Sequence, residues 1–396
     1  MHIAVLGPMS LDLLPLDGAS DALPEGYPAP IVSGIVRGLL EKGFRVTAIT
    51  TSFGISEPQT FAEDGLTLVV VPRYGPRSAL DFFKREREQL LHAIRQSSPD
   101  VLHAHWSYEF AGAALDSGLP TLVTVHDSAP RVLLETLRSG ESLVPKAKQT
   151  IYRGLRMLMS ASVLNRACYL SCPSQYLVGT LPPRHRAKAR IIPDFIETET
   201  LPEYKPVHAR KRSIVVVSNG FHGWKNVDTA LEAFNRSQSR QAGWALELVG
   251  QDMEPDGSAA RWARAHGLEE GVVFNGPLPY LRTLELISSS SVMVHPSREE
   301  SFGMSVLESM AMGTPVIGGE RAGNVPYLLS DGAGILCDVE SVDSLAAAID
   351  LMTANVGLRE CVGEAARQRA IESYHRDVVM NLYVEYLVDI AHGGSE

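Results

Sequence analysis

Residues 296–315 read PSREESFGMSVLESMAMGTP, and this stretch decides how the rest of the chain is interpreted. It follows a short apolar run, residues 291–295, that has strand character, and a second such run begins at Thr314. From about Ser301 the apolar residues recur at helical spacing, and Gly313 is placed to end the helix. Strand, loop, helix and strand in this order are typical of a parallel α/β sheet.

Two carboxylates mark this unit, Glu300 at the helix entrance and Glu308 about two turns further on. The first-turn N–H groups have no acceptors inside the helix, and with the helix dipole they suit an anion such as a diphosphate. Glu300 is then placed to hold sugar hydroxyls or to face a transient positive centre, and Glu308 to accept hydrogen bonds from a ribose diol. The alternative is that both acids merely favour a helix start. The candidate donor-binding residues here are Ser301, Phe302, Gly303, Met304 and Glu308.

The pattern Glu300-Ser301-Phe302-Gly303 followed by Glu308 resembles the E-x7-E motif of the retaining GT-B glycosyltransferases, in particular glycosyltransferase family 4. The resemblance implies an α/β fold with two doubly wound Rossmann-like domains facing each other across a cleft. It places an acceptor-side domain at residues 1–195 and a nucleotide-sugar domain at residues 196–375. A C-terminal helix, residues 376–396, is expected to pack back onto the first domain.

Composition sets the outer limits of this interpretation. A chain of 396 residues is long enough for two domains, and its net charge of −10 argues against a general nucleic-acid binder. Four cysteines do not make a disulfide framework in a chain of this size. The first residues form a strand rather than a signal peptide, and no apolar run approaches the ~18 residues of a transmembrane helix. We therefore expect a cytoplasmic protein.

In the first half, strands and helices alternate, and polar residues collect where strands end. Gly7 closes the first strand, Tyr27 lies in the loop before the first helix, and His126 closes a later strand. By resemblance, Gly7 contacts the donor, Tyr27 lies on the acceptor side, and His126 orients a hydroxyl of the donor sugar. We expect His103 and His105 to be ordinary core residues.

A bound metal is not expected from the sequence. The three histidines lack the spacing of a zinc site, and the Asp-x-Asp pattern that holds a metal–diphosphate in the other large glycosyltransferase fold does not occur. The nucleotide sugar is therefore a substrate that needs no cofactor, and its diphosphate charge is met by Lys225 and helix N-termini.

Residues 146–166 form a basic stretch without an acid, flanked by an apolar stripe. Lys146, Arg153 and Arg156 could rest on an anionic membrane or meet an acceptor's phosphates. An equally good alternative is a helix with its apolar side in the core and its charges in water. The first possibility would make the protein peripheral on the inner face of the membrane.

Residues 213–217 start a second series of strands and helices, and the loop 218–226 follows. This loop resembles the first loop of the family's donor domain, where Gly-Arg precedes a lysine by five residues. Lys225 matches the lysine, but Asn219 or Gly220 stands where the arginine would be, and Arg298 is a candidate replacement. By resemblance, Gly250 also lies near the nucleotide.

The resemblance implies transfer of a sugar from a UDP- or GDP-linked donor to a lipid-linked glycan or a cell-surface polysaccharide precursor, with retention at the anomeric carbon. A nucleotide-sugar epimerase or a phosphorylase of the same fold is one rival. A catalytically inactive relative that binds nucleotide or glycan as a partner subunit is another, and the absent loop arginine favours it.

Overall fold

The chain divides into two compact units in a computed structural model that describes residues 1–16, 18, 22–27, 29–138 and 143–393. The first unit comprises Met1–Asp194 and Arg376–Glu396, and the second comprises Phe195–His375. The boundary lies one residue before the predicted one. Residues 394–396 of the expected C-terminal helix lie outside the described residues.

The first unit is built on a twisted sheet whose strands run β3-β4-β2-β1-β5-β6-β7-β8 across it. These strands are β1 (His2–Leu6), β2 (Arg45–Ser52), β3 (Gln59–Glu63), β4 (Leu66–Pro72), β5 (Val101–His105), β6 (Thr121–Thr124), β7 (Tyr169–Cys172) and β8 (Ala189–Ile191). The helices between them are α1 (Pro30–Glu41), α2 (Lys84–Ser97), α3 (Glu109–Asp116), α4 (Ala129–Arg138), α5 (Leu143–Arg166), α6 (Gln175–Thr180) and α7 (Pro183–Arg186). Neighbouring strands are parallel except β3, which pairs antiparallel with β4 at the edge.

The second unit repeats this design with the strand order β11-β10-β9-β12-β13-β14. Its strands are β9 (Lys211–Val217), β10 (Ala245–Val249), β11 (Val272–Gly276), β12 (Ser290–His295), β13 (Val316–Gly319) and β14 (Ile335–Cys337). Its helices are α8 (Val227–Arg236), α9 (Gln238–Gln241), α10 (Ser258–His266), α11 (Tyr280–Ser289), α12 (Met304–Ala311), α13 (Val325–Leu328), α14 (Val342–Ala354) and α15 (Val356–Tyr374). Every strand pair in this sheet is parallel. The predicted pair of doubly wound α/β domains is thereby confirmed.

The last helix, α16 (Arg376–Ala391), belongs to the first unit and packs on α1. Gly38 makes this close contact, because a Cβ there would lie 2.8 Å from Cγ of Met380. The ion pair between Arg376 and Glu41, at 2.7 Å, joins the same two helices near their ends. A side chain at position 38 would therefore force the Met380 side chain to move from its place between the two helices.

Several boundaries differ from those predicted. The sequence of residues 80–97 predicts one long charged helix, but α2 begins only at Lys84, because Phe82 and Phe83 both have φ of 55°, which no α-helix accommodates. Strands β3 and β14 and helices α4 and α10 were not predicted at all. Among the described residues, no helix combines the length and hydropathy that crossing a bilayer requires.

Candidate functional site

In the second unit, two loops leave the sheet side by side at the point where the chain's winding reverses. Strand β9 lies between β10 and β12, so the crossovers run in opposite directions from it, and ligands of such sheets bind at the carboxyl ends there. Residues 218–226 follow β9 and residues 296–303 follow β12. The backbone N–H of Arg298 donates to the carbonyl of Trp224 at 2.7 Å and holds the two loops together.

The loop after β9 is shaped by two glycines. Gly250 has φ of +123°, and a Cβ there would lie 1.9 Å from the carbonyl oxygen of Ser218. Gly220 has φ of +118° and donates its N–H to the carbonyl of Gln251 at 3.2 Å. Asn219, which directly precedes Gly220, is exposed. Gly250 is thus required for the close approach of two loop backbones, and its contact with a nucleotide stays a prediction.

Lys225 and Glu300 form an ion pair between the two loops. The Lys225 ammonium donates to Oε1 of Glu300 at 2.7 Å, and Nε2 of His295 lies 3.5 Å from the same oxygen. Burial opposes the charge of the Glu300 carboxyl, but the Lys225 ammonium and the His295 ring outweigh burial and hold its pKa well below the ordinary value. Glu300 is therefore ionised at neutral pH.

The backbone of the loop that carries Glu300 is held by contacts with residues that follow β13. Gly323 has φ of +61°, and a Cβ there would lie 2.2 Å from the carbonyl oxygen of Glu300. The N–H of Asn324 donates to that same carbonyl at 3.0 Å, and its side-chain amide donates to the carbonyl of Phe302 at 3.0 Å. Gly318 and Gly319, by contrast, face packed side chains such as Val325 and Val339, so they are packing glycines.

Helix α12 begins at Met304, three residues later than predicted. Its N-cap is Gly303, whose φ of 105° lies in the left-handed region, and the first helical bond runs from Leu307 N–H to the Gly303 carbonyl at 3.0 Å. The first-turn N–H groups available to an anion therefore belong to residues 304–306 rather than to residues 301–304. Gly303 brings the loop to the helix start in a conformation that other residues rarely adopt.

The side chains around this helix start divide into buried and accessible ones. Phe302 is buried in the core of the second unit, where its ring lies 6.0 Å from that of Tyr374. Ser301 and Met304 are half-buried. The Phe302 side chain thus serves packing, and a donor contact by this residue would have to use its backbone.

Glu308 lies in the second turn of α12 with its carboxyl buried. The Tyr280 hydroxyl, at the start of α11, donates to its Oε1 at 3.1 Å. Burial raises the pKa of Glu308 to about 7, against the lowering effect of that hydrogen bond. The carboxyl is thus poised between its neutral and charged forms near neutral pH.

Arg298, the candidate replacement for the absent loop arginine, is engaged with protein groups. Its Nε lies 3.2 Å from Oε1 of Glu340, and Nη1 donates to the carbonyl of Gly223 at 3.1 Å. A role at a diphosphate would have to use the guanidinium N–H groups that these two contacts leave over.

In the first unit, His126 lies in a buried network at the carboxyl ends of β1, β5 and β6. Its Nε2 is 2.9 Å from Nδ1 of His105, and its Nδ1 is 3.9 Å from Oδ1 of Asp194. Gly7 makes room for this network, because a Cβ there would lie 3.0 Å from Cβ of His105. Burial lowers the pKa of His126 to about 3, so the ring is neutral. Both ring nitrogens face protein groups, and the predicted contact with a donor sugar stays a prediction.

The neighbouring histidine, His103, donates to or accepts from the Thr124 hydroxyl at 2.8 Å and is fully buried. In the described part of the chain, no group of three or more His, Cys, Asp or Glu side chains is arranged to hold a metal ion.

The basic residues of α5 do not share one environment. Arg156 is largely buried, lies 3.4 Å from Oε2 of Glu109 and stacks on the Tyr108 ring at 3.6 Å. Arg153 and Lys146 are half-buried, whereas Tyr27 is 54% exposed. Arg156 is therefore part of the unit's interior rather than of a surface for a membrane.

Two family models match the chain in succession. Glycosyltransferase Family 4 matches residues 31–200, and Glycosyl transferases group 1 matches residues 202–369. The structure resembles that of Anabaena Alr3699/HepE in complex with UDP and glucose, with a TM-score of 0.71 at 15% identity over 98% of this chain and 100% of that one. The fold is that of the GT-B class. The chain belongs to the family 4 type of GT-B glycosyltransferases.

Curated relatives agree with this assignment. The D-inositol 3-phosphate glycosyltransferase of Acidothermus cellulolyticus is 28% identical over 260 residues, and that match covers 60% of this chain and just over half, 56%, of the relative. The N-acetyl-alpha-D-glucosaminyl L-malate synthase of Bacillus anthracis is 23% identical over 384 residues, covering 92% of this chain and 95% of the relative.

Some residues of these sites were missed by the sequence analysis. Tyr280 and His295 carry no spacing signal that links them to either acid. Asp194 lies three residues after the end of β8, and an acid so close to a strand end was a usable signal. Gly323 stands in a glycine-rich stretch of the sequence, but its approach to Glu300 depends on the folded backbone.

Proposed function

We propose that this glycosyltransferase transfers a hexose, with retention at the anomeric carbon, from a UDP- or GDP-linked donor to a hydroxyl group of a lipid-linked glycan or a cell-surface polysaccharide precursor. The observation that carries the proposal is the ion pair between Lys225 and Glu300 beside the start of α12. A cation for the diphosphate and an anion for the sugar lie together at the switch point of the second unit. The structure of Anabaena HepE in complex with UDP and glucose supports a nucleotide of this kind.

In this proposal the donor's diphosphate takes the Lys225 ammonium and the first-turn N–H groups of α12. The ammonium and the helix dipole stabilise the charge that develops on the leaving nucleoside diphosphate. Glu308 accepts hydrogen bonds from the ribose, and Glu300 orients the sugar and stabilises positive charge at its anomeric carbon. These four contributions involve no divalent metal, so we propose a metal-independent reaction.

The bond between the anomeric carbon and the phosphate oxygen breaks with its electron pair on the diphosphate. The acceptor oxygen forms the new bond to the same carbon and loses its proton. The products are the glycosylated acceptor, the nucleoside diphosphate and one proton.

We assign the acceptor to the first unit, around Tyr27. The surface of α5 supports a contact with anionic lipid, because Ile151 is 59% exposed, Leu158 is 57% exposed and Lys148 lies in water beside them. We therefore propose a cytoplasmic enzyme that associates peripherally with the inner face of the membrane.

One assay tests the enzymatic proposal. The protein is incubated with UDP- and GDP-linked hexoses, with and without a lipid-extract acceptor, and released nucleoside diphosphate and anomeric configuration are measured. Release that depends on acceptor and is lost in Glu300→Gln supports the proposal. Product with inverted configuration contradicts the retaining part, and conversion of the donor sugar without any release indicates an epimerase.

A second candidate function is that of a nucleotide-binding partner subunit without turnover. Asn219 or Gly220 stands in the place of the family's arginine, which favours this function, since one phosphate contact is then missing. Tight binding of UDP or GDP combined with no turnover of any donor, with or without acceptor, would identify this function.

A further inference from the structure

His295, the last residue of β12, is buried beside Glu300 without a hydrogen bond. The residue is 3% exposed, and within the described residues neither ring nitrogen has a hydrogen-bond partner. Its Nε2 lies 3.5 Å from Oε1 of Glu300, which is too long for a formed N–H···O bond. Buried polar atoms are rarely left unpaired, and Glu300 Oε1 is the acceptor towards which this ring nitrogen lies.

Lys225 has two competing partners under the proposed function. In the free protein its ammonium is held by Glu300 at 2.7 Å, and during the reaction the donor's diphosphate needs the same ammonium. When the diphosphate draws Lys225 away, the Glu300 carboxylate, whose side chain is 19% exposed, loses its nearest cation. A poorly solvated carboxylate without a partner is costly, and Glu300 would then protonate or turn away from the sugar.

We propose that His295 is a positioning residue that takes over the Glu300 carboxylate when Lys225 turns to the donor's diphosphate. This inference rests on the proposed function of the Lys225–Glu300 pair. The ring needs to close a gap of less than about 1 Å to donate a charge-assisted hydrogen bond from Nε2. His295 and Lys225 approach the same oxygen, so one can replace the other without reorienting the carboxyl.

A double-mutant cycle without any ligand tests this exchange, because Lys225→Met imitates the departure of the ammonium. Unfolding by urea at pH 7.5 is measured for wild type, Lys225→Met, His295→Leu and the double variant. We expect Lys225→Met to lower the urea midpoint more in the His295→Leu protein than in wild type, and this excess to vanish when Glu300 is changed to Gln. Additive effects, or an excess that persists with Glu300→Gln, would overturn the proposal.

Turnover gives a second readout that a purely structural role would not move. His295→Leu should lower kcat about tenfold, the loss of one hydrogen bond to a charged group, with the Kd for UDP unchanged. His295→Gln, which keeps an N–H donor, should restore most of kcat, and the exposed His208 changed to Leu serves as control. Equal losses in both His295 variants, or a matching loss of UDP affinity, would contradict the exchange.

The outcome of the urea cycle does not depend on whether the proposed enzymatic function is correct. If wild type binds UDP but turns over no donor, the enzymatic proposal fails, while the urea cycle still decides whether His295 supports Glu300.

Discussion

Lys225 Nζ lies 2.7 Å from Oε1 of Glu300 and joins the loop after β9 to the loop after β12. These two strands are neighbours at the switch point of the second sheet, and the bond from Arg298 N–H to the Trp224 carbonyl joins the same loops. The two loops are therefore joined by protein groups alone, and under the proposed function a diphosphate exchanges with Glu300 for the ammonium.

Removing the Lys225 charge should weaken nucleotide binding. We expect Lys225→Met to raise the Kd for UDP roughly thirtyfold, or about 2 kcal/mol, because a charge-assisted bond to phosphate is lost. Calorimetric titration at fixed ionic strength measures this, with the exposed Lys211 changed to Met as the matched control. Equal UDP affinity in wild type and Lys225→Met would remove Lys225 from the donor site.

Gly323 should be required to hold Glu300 in position. This requirement comes from the lack of space for a Cβ there, in addition to the left-handed φ of the residue. Gly332 also has a left-handed φ, +80°, but a Cβ there meets no atom within 4 Å, whereas at Gly323 it would lie 2.2 Å from the Glu300 carbonyl oxygen. We expect Gly332→Ala to cost about 1 kcal/mol of unfolding free energy and Gly323→Ala about 2–4 kcal/mol.

The two variants should also differ in turnover. Gly323→Ala displaces the Glu300 loop and should lower kcat, while Gly332→Ala should leave it at the wild-type value. Urea unfolding and steady-state kinetics on both proteins measure these differences. Similar kinetics in the two variants would show that the contact between Gly323 and the Glu300 backbone does not position Glu300.

The buried Glu308 should make nucleotide binding depend on pH. Its pKa is raised by burial to about 7, so the carboxyl is largely neutral at pH 6 and charged at pH 8. A carboxylate accepts ribose hydroxyls more strongly than a neutral acid does, so UDP affinity should increase as pH rises through about 7. Titrations of wild type and Glu308→Gln between pH 6 and 8 test this, and an equally steep profile in Glu308→Gln would assign the dependence to another group.

The titration of Glu308 should also affect the stability of the fold. Whereas UDP affinity increases as pH rises, the free energy of unfolding should decrease. Because the folded pKa of Glu308 lies above the unfolded value, its contribution is complete below about pH 4.3 and is lost as pH rises through about 7. Relative to Glu308→Gln, wild type should therefore lose about 3 kcal/mol of unfolding free energy over that window. A constant difference between the two proteins would show that burial does not disfavour the charge.

The basic residues of α5 should separate into surface and core. Lys148→Glu should weaken binding to phosphatidylglycerol vesicles with no loss of stability, because Lys148 is exposed. Arg156→Leu should cost about 2–3 kcal/mol of unfolding free energy, since the buried Glu109 then loses a cation. Vesicle co-sedimentation and urea unfolding measure both, with Lys211→Glu as control, and unchanged vesicle binding in Lys148→Glu would end the membrane proposal.

The sequence predicted the α/β alternation because buried parallel strands and amphipathic helices leave strong local patterns. Local patterns could not place the start of α12, because Gly303 adopts a left-handed conformation that delays the helix to Met304. The partnership of Lys225 with Glu300 was accessible only through the family motif, since 75 residues separate them. His295 and Tyr280 act through contacts that only the folded sheet creates, and the burial of Arg156 depends on its packing against Tyr108.

The central claim is that a nucleoside diphosphate binds where α12 begins, with Lys225 on its phosphates. A crystal structure of the protein soaked with UDP tests this most directly. The account predicts the diphosphate against the N–H groups of residues 304–306, the Lys225 ammonium moved from Glu300 to a phosphate oxygen, and the ribose at Glu308. A nucleotide bound elsewhere, or one bound there while Lys225 keeps its bond to Glu300, would contradict it.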